Sequence, residues 1–366
     1  MPIDPISSGF LPETRTGSIS VPKNIQRRKA VSERIAVLGA GSWGIAIANC
    51  LADNGHKVTL WEFNRADYDL LISGRAHPNK LPGITIPDRI DITNNLAEAV
   101  NKPTLLVLAI PAQKIRVVCE KLRSLITDPV PCLNLAKGVE IKSLKRMSEV
   151  ITDAIPTLDD TCVATLSGPS HAEEVARRLP TSVVAASVDV HLAEHIQHIF
   201  SNSFFRVYRS TDLVGVELGG SLKNVIAIAA GITHGLGFGD NTMGALITRG
   251  LAEITRMGVK LGADPLTFAG LSGIGDLVTT CISPHSRNRY VGRRIGEGET
   301  LANVLAGMVM VAEGVDTCRS AYAMAAKYDV DMPITREVHH VLFEHKDPSR
   351  GLADLMGRSL KEEVWQ

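Results

Sequence analysis

"RIAVLGAGSWGIAIANCLADNGHKVTLWE", residues 34–62, decides the fold. A short apolar run leads into Gly39, Gly41 and Gly44 in G-x-G-x-x-G spacing. An apolar helical stretch follows that can stop at Asn54-Gly55, and a second apolar run at 57–61 completes a strand, loop, helix and strand. Glycines so placed let the backbone turn tightly and approach a pyrophosphate, whose charge the free N–H groups of the helix N-terminus stabilise. The glycine spacing alone is weak; in this context it predicts a dinucleotide site. Glu62 ends the second strand, where a carboxylate can accept hydrogen bonds from a ribose 2′-OH and repel a 2′-phosphate, favouring NAD over NADP. Arg65, three residues on, could instead reach a phosphate.

Outward from this unit, short apolar runs at 104–110, 131–135, 162–166, 182–187 and 204–208 alternate with helical stretches, as in a parallel sheet with crossover helices. Beyond about residue 210 the strand signal gives way to long stretches at helical spacing. The expectation is an α/β chain: a Rossmann-like, doubly wound sheet domain at 31–209, then an all-α substrate domain at 210–366. Residues 1–30, rich in Pro, Ser, Gly and Thr without a sustained period, read as a flexible extension. A length of 366 residues suits two domains.

Lys plus Arg and Asp plus Glu both number 39, which leaves no global electrostatic case for nucleic acid or an anionic membrane. The six cysteines form no C-x-x-C pair, which points to reduced thiols and no metal site. No apolar run is expected to span a membrane and no secretory signal is evident, so the expected location is cytoplasmic.

Four further stretches carry chemistry. "LNLAKGVE" sets Lys137 just past a buried strand, at the carboxyl edge where open α/β sheets bind ligands, although a lysine there can also be a solvated loop residue. "LSGPSHAEEVA" follows a strand with Gly168 and Ser170; Ser170 is spaced from Glu173 as an N-cap in a capping box. "CISPHSRNRYVGRRIG" puts Arg287 and Asn288 in the first turn of a helix, where a cation is disfavoured unless an anion binds nearby, and Arg suits a phosphate monoester. "VELGGSLKNVIAIAAG" holds Lys223 in an apolar helix over 211–235, with Gly219 and Gly220 expected to leave room for a ligand beside its stem. Desolvation and a second cation such as Lys137 would lower the Lys223 pKa, and a lysine poised near neutrality can take a proton from an alcohol while a nicotinamide takes the hydride.

With "GAGSWG", "AKGVE", "SGPSHAEE", "ELGGSLKN", "GDN", "ITRGLAEI", "GLSGIGDL", "HSRN" and "VAEGV" in order over 33–360, the chain resembles the NAD(P)-dependent glycerol-3-phosphate dehydrogenases, particularly the bacterial form. The resemblance implies reversible reduction of dihydroxyacetone phosphate to sn-glycerol 3-phosphate for phospholipid synthesis. It implies that Lys223 is the proton acceptor, with Lys137 and Asp276 beside it. Lys137, Gly168, Ser170, Asp276, Ser286, Arg287 and Asn288 would contact substrate. Ser42, Trp43, Lys137, Ala172, Arg287, Val311 and Glu313 would contact the cofactor. A homodimer is a further expectation, on the apolar surface of the helical half. Phe63 and Asn64 stand where bacterial relatives commonly carry a basic residue, which agrees with NAD over NADP. Two rivals are a dehydrogenase for another phosphorylated hydroxy acid, and a non-catalytic dinucleotide sensor, which would not need a base and a phosphate clamp together.

Overall fold

The computed structural model describes residues 32–360 together with 362 and 363, so the expected extension at 1–30 lies outside the described residues. Eight strands form one sheet: β1 (Arg34–Leu38), β2 (Lys57–Trp61), β3 (Ile90–Thr93), β4 (Leu105–Leu108), β5 (Cys132–Asn134), β6 (Val163–Ser167), β7 (Thr181–Ala186) and β8 (Phe205–Ser210). Their order is β3-β2-β1-β4-β5-β6-β7-β8, and every neighbouring pair is parallel except β6 with β7. β1, β4, β5 and β6 are almost wholly buried, as strands covered by helices on both faces must be. The fold is the expected doubly wound α/β sheet followed by a helical region.

Two features of the sheet differ from expectation. β3, "IDIT", is the edge strand beside β2, with Asp91 exposed, too short and too polar to register as an apolar run. The β6–β7 pairing turns the chain over, so β7 and β8 run against the other six; apolar content carries no information about strand direction.

The Leu213–Gly235 helix is the core of the helical region. It is buried almost all round, which is why its sequence shows no polar face. By length and composition it could cross a membrane, contrary to the expectation that no such run exists, but 94% of its most apolar stretch lies inside the fold. It packs against helices Asp240–Lys260, Asp276–Ile282, Arg287–Gly296 and Glu313–Tyr328.

Small residues set how closely these helices approach. A Cβ on Gly231 or Gly235 would strike the backbone of Arg289 or Arg293, and one on Gly292 or Gly296 would strike the carbonyls of Ile228 or Ile232. The two helices therefore interlock glycine against backbone from both sides. Gly219 and Gly220 act likewise: a Cβ would sit 2.6 Å from the Ser272 carbonyl at the first and on Ser167 Oγ at the second. They bring the central helix onto β6 and the 271–275 segment rather than leaving ligand room.

Glu217 ties the central helix to the sheet domain. Its carboxylate accepts from Ser148 N at 2.8 Å, Ser148 Oγ at 2.6 Å and Arg146 Nη1 at 2.7 Å, at the start of the Met147–Ala154 helix. Burial pushes the Glu217 carboxyl up, and the Arg146 charge and Ser148 donors oppose the shift. Glu217→Ala should cost roughly 3–5 kcal/mol, the usual penalty for leaving the other half of a buried pair alone. Urea unfolding of the two proteins measures it; a change within error would mean that Arg146 finds another partner at no cost.

Candidate active site

The cleft lies at the carboxyl ends of the central strands, between the sheet and the central helix, where open α/β sheets take ligands. Of the residues expected from the sequence, Gly41, Ser42, Trp43, Lys137, Ser170, Ala172, Lys223, Asp276, Ser286, Arg287, Asn288, Val311 and Glu313 line it together.

Asp276 organises its centre. Oδ1 accepts from Lys223 Nζ at 2.6 Å and Oδ2 from Lys137 Nζ at 2.8 Å, so one carboxylate is shared by two ammoniums. Lys223 also donates to Thr280 Oγ1 at 2.5 Å, and Lys137 to the Gly168 carbonyl at 3.0 Å. Lys223 is 5% exposed. Burial pushes its pKa down, Asp276 pulls it back, Lys137 adds to the lowering, and it comes to about 8. Burial would raise Asp276, but the two ammoniums outweigh it and hold its carboxyl below the usual range. The greasy helix thus supplies the burial, while a different helix supplies the counter-ion.

The Arg287–Gly296 helix opens on this cleft. Ser286 is its N-cap, its side chain accepting from Arg289 N, and Asn288 Nδ2 donates to Asn224 Oδ1 at 2.9 Å, one residue from Lys223. Arg287 is exposed and its Nη1 donates to the Val311 carbonyl at 2.8 Å. A helix N-terminus with an adjoining guanidinium is suited to a phosphate.

The glycine loop opens on the other side. Gly39 has φ +109°, and a Cβ there would lie 2.5 Å from the Ala109 carbonyl. Gly44 lets the helix pass directly over the Gly39 carbonyl, whereas a Cβ on Gly41 would meet nothing within 4 Å. Among the described residues the helix Ser42–Asp53 has no side-chain cap, and buried Trp43 Nε1 has no hydrogen-bond partner. Open space at Gly41, uncapped N–H groups and an unpartnered donor fit a pyrophosphate-bearing cofactor. Glu313 closes the rim from the helical region, accepting from Ala112 N at 3.0 Å; burial raises its carboxyl.

Both halves of the chain match family models that correspond to this architecture: the NAD-dependent glycerol-3-phosphate dehydrogenase N-terminus over residues 34–193 and the C-terminus over 212–353. The chain belongs to the NAD-dependent glycerol-3-phosphate dehydrogenase family. Similar proteins named glycerol-3-phosphate dehydrogenase [NAD(P)+] occur in Chlorobium limicola, 49% identical over 90% of this chain and 99% of that protein, and in Thermoanaerobacter sp., 50% identical over the same shares. The glycerol-3-phosphate dehydrogenase crystal structure from Coxiella burnetii superposes with a TM-score of 0.86 at 35% identity, covering 89% of this chain and 99% of that one.

Within this glycerol-3-phosphate dehydrogenase scaffold several expectations fail locally. Ser170 does not cap: its Oγ donates to the Gly168 carbonyl at 3.0 Å, and His171 is the N-cap residue of Ala172–Ala176, with no side-chain cap bond. Gly39, Gly44 and Gly168 do not themselves border the cavity, and Gly168 reaches it through its carbonyl, which accepts from the lining Lys137. Glu62 is 1% exposed and absent from the lining; its carboxylate accepts from Lys80 Nζ and Asn64 N, both at 2.9 Å. Buried and bonded to a Lys80 that Asp67 shares, Glu62 is not presented to the cleft as a free ribose acceptor and gives no support for NAD over NADP. Asn64 caps the Arg65–Gly74 helix, and Arg65 pairs with Asp69. Thr280, Asn224 and His171 also line the cleft and were not singled out. Thr280 stands one helical turn after Asp276 and Asn224 beside Lys223, spacings that could have indicated both.

Asp276→Asn removes the charge that raises Lys223 and leaves burial and Lys137, which lower it. The Lys223 pKa should therefore fall below about 8. An NMR titration of side-chain-labelled lysine checks this; an unchanged or higher value would show that Asp276 does not set the Lys223 charge.

Proposed function

We propose that this chain catalyses the reversible NAD(P)-dependent reduction of dihydroxyacetone phosphate to sn-glycerol 3-phosphate. The observation that carries it is the Lys223–Asp276–Lys137 arrangement in one cleft with the uncapped glycine loop and the Arg287 helix N-terminus. A base, a dinucleotide cradle and an anion site in that order are what hydride exchange on a small phosphorylated alcohol needs. The bound dinucleotide supplies or accepts the hydride, and either NAD or NADP suits the loop.

The phosphate is held by the Arg287 side chain, the first-turn N–H groups of Arg287 and Asn288 and the Ser286 hydroxyl, while the Asn288 side chain, bonded to Asn224 and Gly314, orients that end. That leaves the oxygen on the reacting carbon facing Lys223. In reduction the Lys223 ammonium donates its proton to this oxygen as the carbon gains the hydride; in oxidation the neutral amine takes the hydroxyl proton. Lys137 adds positive charge on the other side of Asp276, favouring the oxygen as negative charge grows on it. Asp276 keeps both lysines oriented. Gly168 and Ser170 supply neighbouring oxygens, and Ala172, Val311 and Glu313 flank the cofactor.

The same proposal includes a cytoplasmic setting, supported by six free cysteines. It also includes a homodimer, for which exposed Val259, Leu266 and Ile282 offer apolar surface. The direct test is oxidation of NADH and NADPH with dihydroxyacetone phosphate, with unphosphorylated dihydroxyacetone as control. Reduction of the phosphate ester should dominate; comparable rates on both ketones would remove the phosphate from the proposal. Arg287→Ala should weaken use of the ester by about 1.5–3 kcal/mol, the range for hydrogen bonds to charged groups, and leave dihydroxyacetone little affected.

Lys223→Met keeps the bulk of the stem without the ammonium, and should slow turnover at least ~100-fold. In the unaltered enzyme kcat/KM for glycerol 3-phosphate oxidation should fall as pH drops through about 8, because the base becomes protonated. That limb should be absent in Lys223→Met. Near-normal turnover with the same profile would place the base elsewhere.

A further inference from the structure

His171 lines the active-site cleft beside Lys137, Lys223 and Asp276, and nothing above gives it a task. It stands in extended backbone, φ −70° and ψ 131°, between Ser170 and the Ala172–Ala176 helix. Its Nε2 is buried and has no hydrogen-bond partner among the described residues. Its ring lies 5.8 Å from that of His285, the residue before the Ser286 cap, so it sits between the lysine pair and the anion end.

Five neighbouring polar side chains besides Asp276 are already engaged. Lys223 and Lys137 share Asp276, Ser170 Oγ donates to the Gly168 carbonyl, and Asn224 and Asn288 bond each other. A buried polar atom without a partner is costly, and in a native site it is expected to meet water or a ligand. The substrate presents three polar functions. The oxygen on the reacting carbon requires the ammonium of Lys223, and the phosphate requires the charge of Arg287. The third, the terminal hydroxyl, is neutral and can both donate and accept.

We propose that His171 Nε2 hydrogen-bonds the terminal hydroxyl of the substrate, so that the cleft selects a hydroxymethyl ketone phosphate over the same ketone phosphate ending in a methyl group. This rests on the reaction proposed above. Burial, and then the charge on Lys223, lower the His171 pKa and keep the ring neutral, which suits a hydroxyl and not a second anion. Among the described residues no group bonds Nε2, so it can serve as donor or acceptor to a group that is itself both.

The test compares dihydroxyacetone phosphate with hydroxyacetone phosphate, its analogue lacking the terminal oxygen, in the unaltered enzyme, His171→Phe and His171→Gln. NADH binding is followed by fluorescence. The unaltered enzyme should favour the hydroxylated ketone in kcat/KM by at least about tenfold, because the analogue strands a buried polar group. His171→Phe should lower kcat/KM on dihydroxyacetone phosphate by about tenfold or more and on the analogue by at most a few-fold, with NADH affinity unchanged. His171→Gln, which retains hydrogen-bonding atoms, should recover part of the preference.

Equal losses on both ketones would overturn the proposal, since they would assign His171 to the shared phosphate or to structure. No loss on either ketone would overturn it too. Should both variants fail to fold, the unaltered enzyme decides: a ratio near one between the ketones refutes a partner for the hydroxyl. An unaltered enzyme that reduces neither ketone contradicts the reaction itself and takes this inference with it, whereas one that reduces both equally contradicts the inference alone.

Discussion

One carboxylate holds the site together. Asp276 takes a lysine from the sheet domain on one oxygen and a lysine from the central helix on the other, and all three groups are largely withdrawn from water. Two ammoniums this close would repel strongly in a low-dielectric pocket if the charge between them were absent. The same carboxylate determines how far each lysine departs from its free state. Burial alone would push Lys223 further toward the neutral amine than it goes; Asp276 restrains the shift so that the group titrates within reach of neutral pH. Lysine geometry and proton affinity are thus consequences of one interaction. The segment that carries Asp276 enters through a kink over Leu271–Gly275, where Gly273 leaves helical geometry at φ −96° and ψ −106°.

The sequence made the sheet, the glycine loop and the buried lysine legible because each leaves a local trace. Apolar runs of strand length, glycines at fixed spacing and a charge inside an apolar helix can all be read without knowing what lies opposite. What escaped notice depends on partners distant in the chain. Glu62 looked like a ribose acceptor, but Lys80, eighteen residues on, holds its carboxylate inside the fold. Gly219 and Gly220 looked like room for a ligand, but the space is filled by the Ser272 carbonyl and Ser167. Ser170 had the spacing of a cap, yet the chain turns one residue later and its hydroxyl bonds backward to Gly168. His171 carried no signal of its own, since a histidine next to a helix start is unremarkable until its buried nitrogen is seen to lack a partner.

The reversal of β7 and β8 belongs to the same class. Their residues are those of ordinary strands, and β8 alternates buried and exposed positions as an edge strand does. Direction is decided by how the connection after β6 returns. That connection contains Gly168, Ser170 and His171, so the segment that turns the sheet over also delivers side chains to the cleft.

The interlocked glycines of the central helix and the Arg287–Gly296 helix have a consequence for what the cleft can measure. Lys223 lies about two turns before Gly231 on one helix, and Arg287 begins the other, so the interval between the proton-transferring group and the anion end is set by two backbones pressed together. The cleft acts as a ruler with a fixed division, and a phosphorylated ketone with one carbon more between carbonyl and phosphate would overshoot it. Recalibration would require one helix to slide along the other, out of the register that the missing Cβ atoms permit.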